Sequence, residues 1–264
     1  MSESNVPFLR NVYLSSDVYA ICLQHALTTE KEEVMGLLIG EVDQQSAASH
    51  ITACIILHRS DKQPDRVEIS PEQLCQASIY AEELAKKLNK PMQVLGWYHS
   101  HPHITVCPSH VDLGTQSTYQ ILDPLFVGLI FSVYGTESRC ISSKVEVTCF
   151  QARRNANDLH RREIALTIKP SSIESYNSEA LTDLPNILMK EVSDLFGDIN
   201  DSEDQLAKLH NNALKSLQLT EITSKVTLPM CDFLEMRLNS ITARIRTLEL
   251  LKQSLKTQVD IMTR

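Results

Sequence analysis

The sequence predicts an α/β fold: a mixed sheet with flanking helices, followed by a C-terminal helical and coiled-coil region. Three observations carry this expectation. Short apolar runs alternate with amphipathic stretches of helical spacing as far as Ile168. Strand signals stop at Lys169-Pro170-Ser171-Ser172. The closing segment then repeats apolar residues at spacings of three and four over about four heptads. The 264 residues divide on this basis into a region 1–170 and a helical region 171–264.

Residues 16–28 read as a first helix, capped by Ser16 or Asp17, with Val18, Ile21, Cys22 and His25 at helical spacing. The run Val34-Met35-Gly36-Leu37-Leu38-Ile39-Gly40 follows four charged residues and predicts a buried strand. Ile51 to Leu57 predicts its neighbour, with Asp43 to Ser49 as the turn between them, and Arg59 to Asp65 reads as a polar loop. Ser70-Pro71-Glu72 opens a helix in the expected order of capping hydroxyl, proline and acid, and the helix stops near Asn89-Lys90-Pro91. Met92 to Tyr98 predicts a strand running into a His-rich loop, and a helix is expected from Ser109 to about Leu122. Phe126 to Val133, Lys144 to Phe150 and Glu163 to Ile168 complete the predicted strands. Beyond them, Leu184 to Phe196 and Leu206 to Leu217 predict two helices. Cys231, Leu234, Leu238, Ile241, Ile245, Leu248, Leu255, Val259 and Met262 form the final seam, interrupted only by Lys252. A seam of this length either packs on its own domain or meets a partner helix, and we take partner binding as the working expectation.

Composition narrows the function classes. A net charge of −8 and the lack of a large Lys/Arg cluster argue against a nucleic-acid footprint. Arg153-Arg154 and Arg161-Arg162 read as a solvated face. Seven cysteines without a Cys-x-x-Cys pair predict reduced thiols and exclude a cysteine-rich zinc site. The polar start Met-Ser-Glu-Ser-Asn is unlike a signal peptide, and the longest apolar run, Leu125 to Phe131, is too short to span a bilayer. An intracellular protein is expected.

Chemistry concentrates between Leu95 and Asp112, which holds four of the nine histidines. His99 and His101 are two residues apart, so an extended backbone turns them to one side while Ser100 points away. Pro102 ends the strand pairing. Asp112 falls in the first turn of the following helix, three residues after Ser109. Two imidazoles and one carboxylate are a three-ligand set that leaves a fourth position open, the catalytic rather than the structural zinc pattern. Ser109-x-x-Asp112 is at the same time a capping box. The two readings coexist, because capping uses an oxygen lone pair and leaves the hydroxyl proton free to polarise a substrate carbonyl. His103 and His110 have the wrong spacing for the same metal and read as loop and helix-surface residues.

His99-Ser100-His101-Pro102, six residues, then Ser109-x-x-Asp112 resembles the full signature of the JAMM (MPN-plus) zinc metalloproteases. That family also places a glutamate three residues before a glycine upstream, and Glu33-Val34-Met35-Gly36 fits where Glu30 and Glu32 do not. The resemblance spans about residues 7–168 and implies the MPN fold, related to cytidine deaminases. It implies His99, His101 and Asp112 as ligands of one Zn2+ per chain, Glu33 as general acid/base and Ser109 as oxyanion stabiliser. It implies hydrolysis of isopeptide bonds to ubiquitin. The segments Thr29 to Leu37 and His99 to Val106, with the helical tail, further resemble the branch of deubiquitinase subunits in the BRISC and BRCA-associated A complexes. That branch implies lysine-sixty-three-linked polyubiquitin as substrate. Its implied partner is an inactive MPN-like pseudoenzyme bound through the helices from Cys231 to Met262 in a higher-order hetero-oligomer. It further implies cytoplasmic and nuclear residence and a role in DNA repair. Neither nucleic acid nor membrane is an expected partner. Cys107 departs from the large aromatic expected before Pro108-Ser109, and the branch's substrate-contacting insertion falls near Arg59 to Gln76. The competing readings are an isopeptidase for another ubiquitin-like modifier and a non-catalytic scaffold.

Overall fold

The computed structural model describes residues 9–59, 69–135, 144–155, 158–170, 178–197 and 204–262. Its eight strands are β1 (Asn11–Ser15), β2 (Met35–Asp43), β3 (Ala48–Ile56), β4 (Gln93–Pro102), β5 (Val127–Gly135), β6 (Lys144–Asn155), β7 (Asp158–Glu163) and β8 (Ala165–Lys169). The helices are α1 (Ser16–Ala26), α2 (Pro71–Leu88), α3 (His110–Leu122), α4 (Ser178–Gly197), α5 (Gln205–Ile222) and α6 (Leu228–Met262). The strands form one mixed sheet in the order β7-β6-β5-β4-β2-β3-β1-β8. Successive strands β7 and β8 thus lie on opposite edges, joined through Ile164 alone, so the sheet curls until its edges adjoin. The Ile164 side chain is buried and its amide donates to the Cys149 carbonyl at 2.9 Å.

The period of two along each strand sorts side chains to the two faces. Leu38, Tyr98, Leu129 and Phe131 join α1 and α4 in the larger core, while Leu37, Trp97 and Ile130 pack with Leu113 and Tyr119 of α3 on the other face. Burying each of these large side chains contributes about 1.5–3 kcal/mol, which fixes α3 on the sheet. His99 and His101 share the parity of Trp97 and so face α3. Gly36 is required by close approach: a Cβ there would collide with the Tyr98 ring and the Ile55 carbonyl.

Most predicted elements are present, with instructive differences. The segment expected as one strand from Glu163 to Ile168 is the junction of β7 and β8, broken at Ile164. β1 was not anticipated, although Val12 and Leu14 alternate and are fully buried. The turn expected over Asp43 to Ser49 is tighter, since β2 runs to Asp43 and β3 starts at Ala48. Of the predicted loop Arg59 to Asp65 only Arg59 lies among the described residues.

In the helical region, α4 lays Leu181, Leu184 and Leu188 into the core of the sheet. α5 continues through a π-helical turn, Thr223–Thr227, into α6. Val226 and Met230 join the larger core, Leu234 packs against it, and Arg237 pairs with Asp17 of α1. This corrects the seam at its start. Leu234 serves the chain's own core rather than a partner, while Cys231 is exposed and the longer exposed apolar stripe among the described residues begins at Leu238. Among the described residues no helix is long and apolar enough to cross a membrane.

Candidate metal centre

β4 and β2 run antiparallel with Met35 opposite His99 and Gly36 opposite Tyr98. That register carries Glu33, two residues before β2, toward His101. On the other side of the histidines, α3 begins at the cap residue Ser109. The Ser109 amide donates to Asp112 Oδ2 at 2.6 Å and the Asp112 amide donates to Ser109 Oγ at 3.1 Å. The capping box therefore orients the Asp112 carboxylate while its oxygens still reach the histidines.

His99 Nε2 and His101 Nε2 are 3.1 Å apart. Asp112 Oδ1 lies 3.4 Å from His99 Nε2 and Asp112 Oδ2 lies 3.5 Å from His101 Nε2. Glu33 Oε1 stands 3.8 Å from His101 Nε2. Glu33, His99 and His101 each offer a donor atom within 4.8 Å of the others. At 3.1 Å the two Nε2 atoms cannot both carry a proton aimed at the other, which suits neutral rings sharing a cation. In a tetrahedral zinc site the ligand bonds put neighbouring donor atoms about 3.3–3.5 Å apart, so the two histidines and Asp112 fit such an ion.

The electrostatics separate the two imidazoles. Burial opposes the charged form of Asp112. Hydrogen bonds with His101 and His99, the His99 charge and the Ser109 amide outweigh it and hold the carboxyl well below the usual range. Burial pushes the fully buried His99 imidazole down, and Asp112 only partly offsets this. Burial also acts against His101, but Asp112, the Thr105 carbonyl and Glu33 together raise it.

The remaining sequence candidates lie around the cluster. His103 lies outside the cluster, with φ of 62°, its Nδ1 3.0 Å from the Tyr134 carbonyl and its Nε2 3.5 Å from Glu30. His110 is an exposed first residue of α3. Ser109 is exposed beside the cluster. Cys107 is exposed in the adjoining loop, where its Sγ accepts from Arg161 Nη1 at 3.4 Å.

Several supporting residues escaped the sequence reading. Ser100 does point away from the histidine cluster, but its buried Oγ accepts from the Val34 amide at 2.9 Å, and its own amide donates to the Val34 carbonyl at 2.9 Å. Trp97 stacks on His99 with ring centroids 4.5 Å apart. The Trp97 indole donates to Gln116 Oε1 at 2.7 Å, and Gln116 Nε2 donates to the Phe126 carbonyl at 2.8 Å. Gln116 lies four residues after Asp112 on the inward face of α3, a spacing that could have marked it.

Comparison with known proteins agrees with these observations. Residues 7–124 match the JAB1/Mov34/MPN/PAD-1 ubiquitin protease family, and residues 177–255 match the BRCC36 C-terminal helical domain. The chain is 48% identical over 231 residues to the Lys-63-specific deubiquitinase BRCC36 of Camponotus floridanus, covering 87% of this chain and 89% of the relative. It is 43% identical over 249 residues to the Xenopus laevis protein of that name, covering 92% and 95%. The Homo sapiens protein of that name is 39% identical over 291 residues, covering 90% and 92%.

Proposed function

We infer that this chain, which belongs to the JAB1/Mov34/MPN/PAD-1 ubiquitin protease family and within it to the BRCC36 deubiquitinases, hydrolyses isopeptide bonds in Lys-63-linked polyubiquitin with the help of zinc. The observation that carries this reading is the convergence of His99, His101 and Asp112 at tetrahedral separations, with Glu33 just outside them. Within 4 Å, Asp112 reaches both histidines and Glu33 reaches His101, so we assign Asp112 as the third ligand and Glu33 as the proton-transferring carboxylate.

Zinc bound there supplies Lewis acidity, which makes a water molecule acidic enough to lose a proton near neutral pH. The Glu33 carboxylate takes that proton at an Oε atom and passes it to the leaving lysine nitrogen, so one group serves as base and then as acid. Ser109 Oγ accepts from the Asp112 amide, which leaves its hydroxyl proton to donate to the oxygen that becomes negative on attack. Asp112, held low in proton affinity, and the buried His99 imidazole keep their lone pairs available for a cation. Binding at His101 Nε2 would instead release the proton that Asp112, the Thr105 carbonyl and Glu33 favour there.

The tail supports an assembly role. Leu238, Ile245, Leu248, Leu255 and Val259 are between 48% and 64% exposed, an apolar stripe that a partner helix would cover. We read that partner as an inactive MPN-like pseudoenzyme within a hetero-oligomer. Glu33→Gln tests the chemistry. Zinc should stay bound while cleavage of Lys-63-linked diubiquitin falls by about 10²–10⁴-fold, and normal cleavage by this variant would remove Glu33 from the reaction. Chains of other linkages and other ubiquitin-like conjugates, offered to the assembled complex, test the substrate assignment.

A further inference from the structure

We propose that Arg59 is a positioning residue for Glu33, holding the segment that carries this carboxylate at its working distance from the histidines. Glu33 lies outside the sheet: the β2–β4 ladder begins with the pair Met35–His99, and residues 27–34 have no helix or strand. Its two chain neighbours are pinned instead. On one side, Val34 exchanges two hydrogen bonds with Ser100, both 2.9 Å. On the other, Arg59 Nη1 donates to Glu32 Oε2 at 2.7 Å. With the Val34 amide and the Glu32 carboxylate both fixed, the backbone at Glu33 keeps little freedom to swing.

Arg59 is itself immobilised from a distant part of the chain. Its Nη2 donates to Glu191 Oε2 at 2.6 Å, its Nε lies 3.2 Å and 3.1 Å from the two Glu191 oxygens, and its backbone amide donates to Glu191 Oε1 at 3.0 Å. Glu191 belongs to α4 and its side chain is 1% exposed. A turn further along α4, Asp194 Oδ2 stands 3.1 Å from His58 Nε2, so the helix sets a carboxylate beside each of two consecutive residues after β3. A buried ion pair seldom adds stability over apolar residues of the same size. What a guanidinium fork between two carboxylates does supply is a fixed direction for each of them. Here one carboxylate belongs to a helix packed on the core and the other to the residue beside Glu33.

The inference rests on reading Glu33 as the proton-transferring group, and its test separates the two. The zinc-loaded full chain is compared with Glu32→Gln, with Arg59→Gln combined with Glu191→Gln, which removes the buried charges together, and with Glu33→Gln. Hydrogen exchange at the Val34 amide is measured alongside zinc content and steady-state cleavage of Lys-63-linked diubiquitin. In Glu32→Gln and in the double variant, Val34 exchange should rise about tenfold with exchange along β5 unchanged. In both, kcat should fall about tenfold with KM within about twofold and zinc retained. Unchanged Val34 exchange in Glu32→Gln, or a uniform rise that includes β5, overturns the inference whether or not the double variant folds. Normal cleavage by Glu33→Gln would instead overturn the assignment of Glu33.

Discussion

His101 Nδ1–H donates to the Thr105 carbonyl at 2.7 Å, and this bond decides which nitrogen of His101 is free. A carbonyl only accepts, so Nδ1 must carry the proton and Nε2 is left with its lone pair turned to His99, Asp112 and Glu33. His99 is fixed differently. Its ring lies on Trp97, with an interplanar angle of 14°, and its buried Nδ1 has no hydrogen-bond partner among the described residues. One imidazole is thus oriented by a hydrogen bond to the loop after β4, the other by stacking on an indole that Gln116 holds.

Asp112 both caps α3 and faces the histidines, and Asp112→Asn separates these roles. The asparagine oxygen can still accept from the Ser109 amide, so the zinc-free protein should lose no more than about 1 kcal/mol. The negative charge is gone, and zinc content measured by atomic emission should fall from one per chain toward zero. Full zinc occupancy in this variant would show that Asp112 is a cap and no ligand.

Ser109 carries a comparable double burden. Ser109→Ala removes the acceptor for the Asp112 amide, costing about 1 kcal/mol in chemical unfolding, and also the hydroxyl donor. If that donor faces the developing oxyanion, kcat should fall about 10²–10³-fold, far more than loss of a cap explains. Ser109→Thr restores both groups and should recover most of both losses. A kcat loss of only a few-fold in the alanine variant would reduce Ser109 to a cap.

The site was more legible in the sequence than its support. His99 and His101 stand out because their relation follows from a period of two, and Asp112 because it follows from a helix start. Both are local rules. Glu33 could be placed only by resemblance, since its approach to His101 depends on the β2–β4 register. Arg59 looked like the start of a polar loop because composition cannot show a partner 132 residues away. β1 escaped because its five residues abut the α1 cap and gain their burial from parallel pairing with β3 and β8. At Ile164 no local signal marks the point where the chain changes from one sheet edge to the other.

His25 predicts a pH dependence independent of the metal. Burial, and then the charge of Arg59, push its imidazole down to about 3. Its Nδ1 lies 2.9 Å from Tyr98 Oη in the core beneath β4. The folded state keeps His25 neutral while the unfolded chain protonates it below about pH 6.5. As pH falls from that value toward 3, the unfolded state binds the extra proton and stability drops by about 1.4 kcal/mol per pH unit from this group. Above pH 6.5 the contribution is complete. His25→Gln keeps a polar partner for Tyr98 without a titrating group, so its unfolding free energy should lose about one proton of pH dependence between pH 6 and 4. Parallel curves for the two proteins would show that His25 does not titrate as the buried geometry requires.

The long final helix has two parts with opposite expectations. Its first turns belong to the chain's own core through Met230 and Leu234, and Arg237 pairs with Asp17. Asp17→Asn should therefore lower stability, by about 1 kcal/mol once the partial exposure of Arg237 is allowed for. From Leu238 on, the apolar stripe is exposed among the described residues. Replacing Leu238, Ile245 and Leu255 by glutamate should leave unfolding of the isolated chain within about 0.5 kcal/mol of wild type. The same triple variant should no longer assemble with a co-expressed MPN-like partner in size-exclusion chromatography with light scattering. A large loss of stability in the isolated variant would mean that the stripe folds back on the chain's own core. Persistence of the complex would place the interface elsewhere on the molecule.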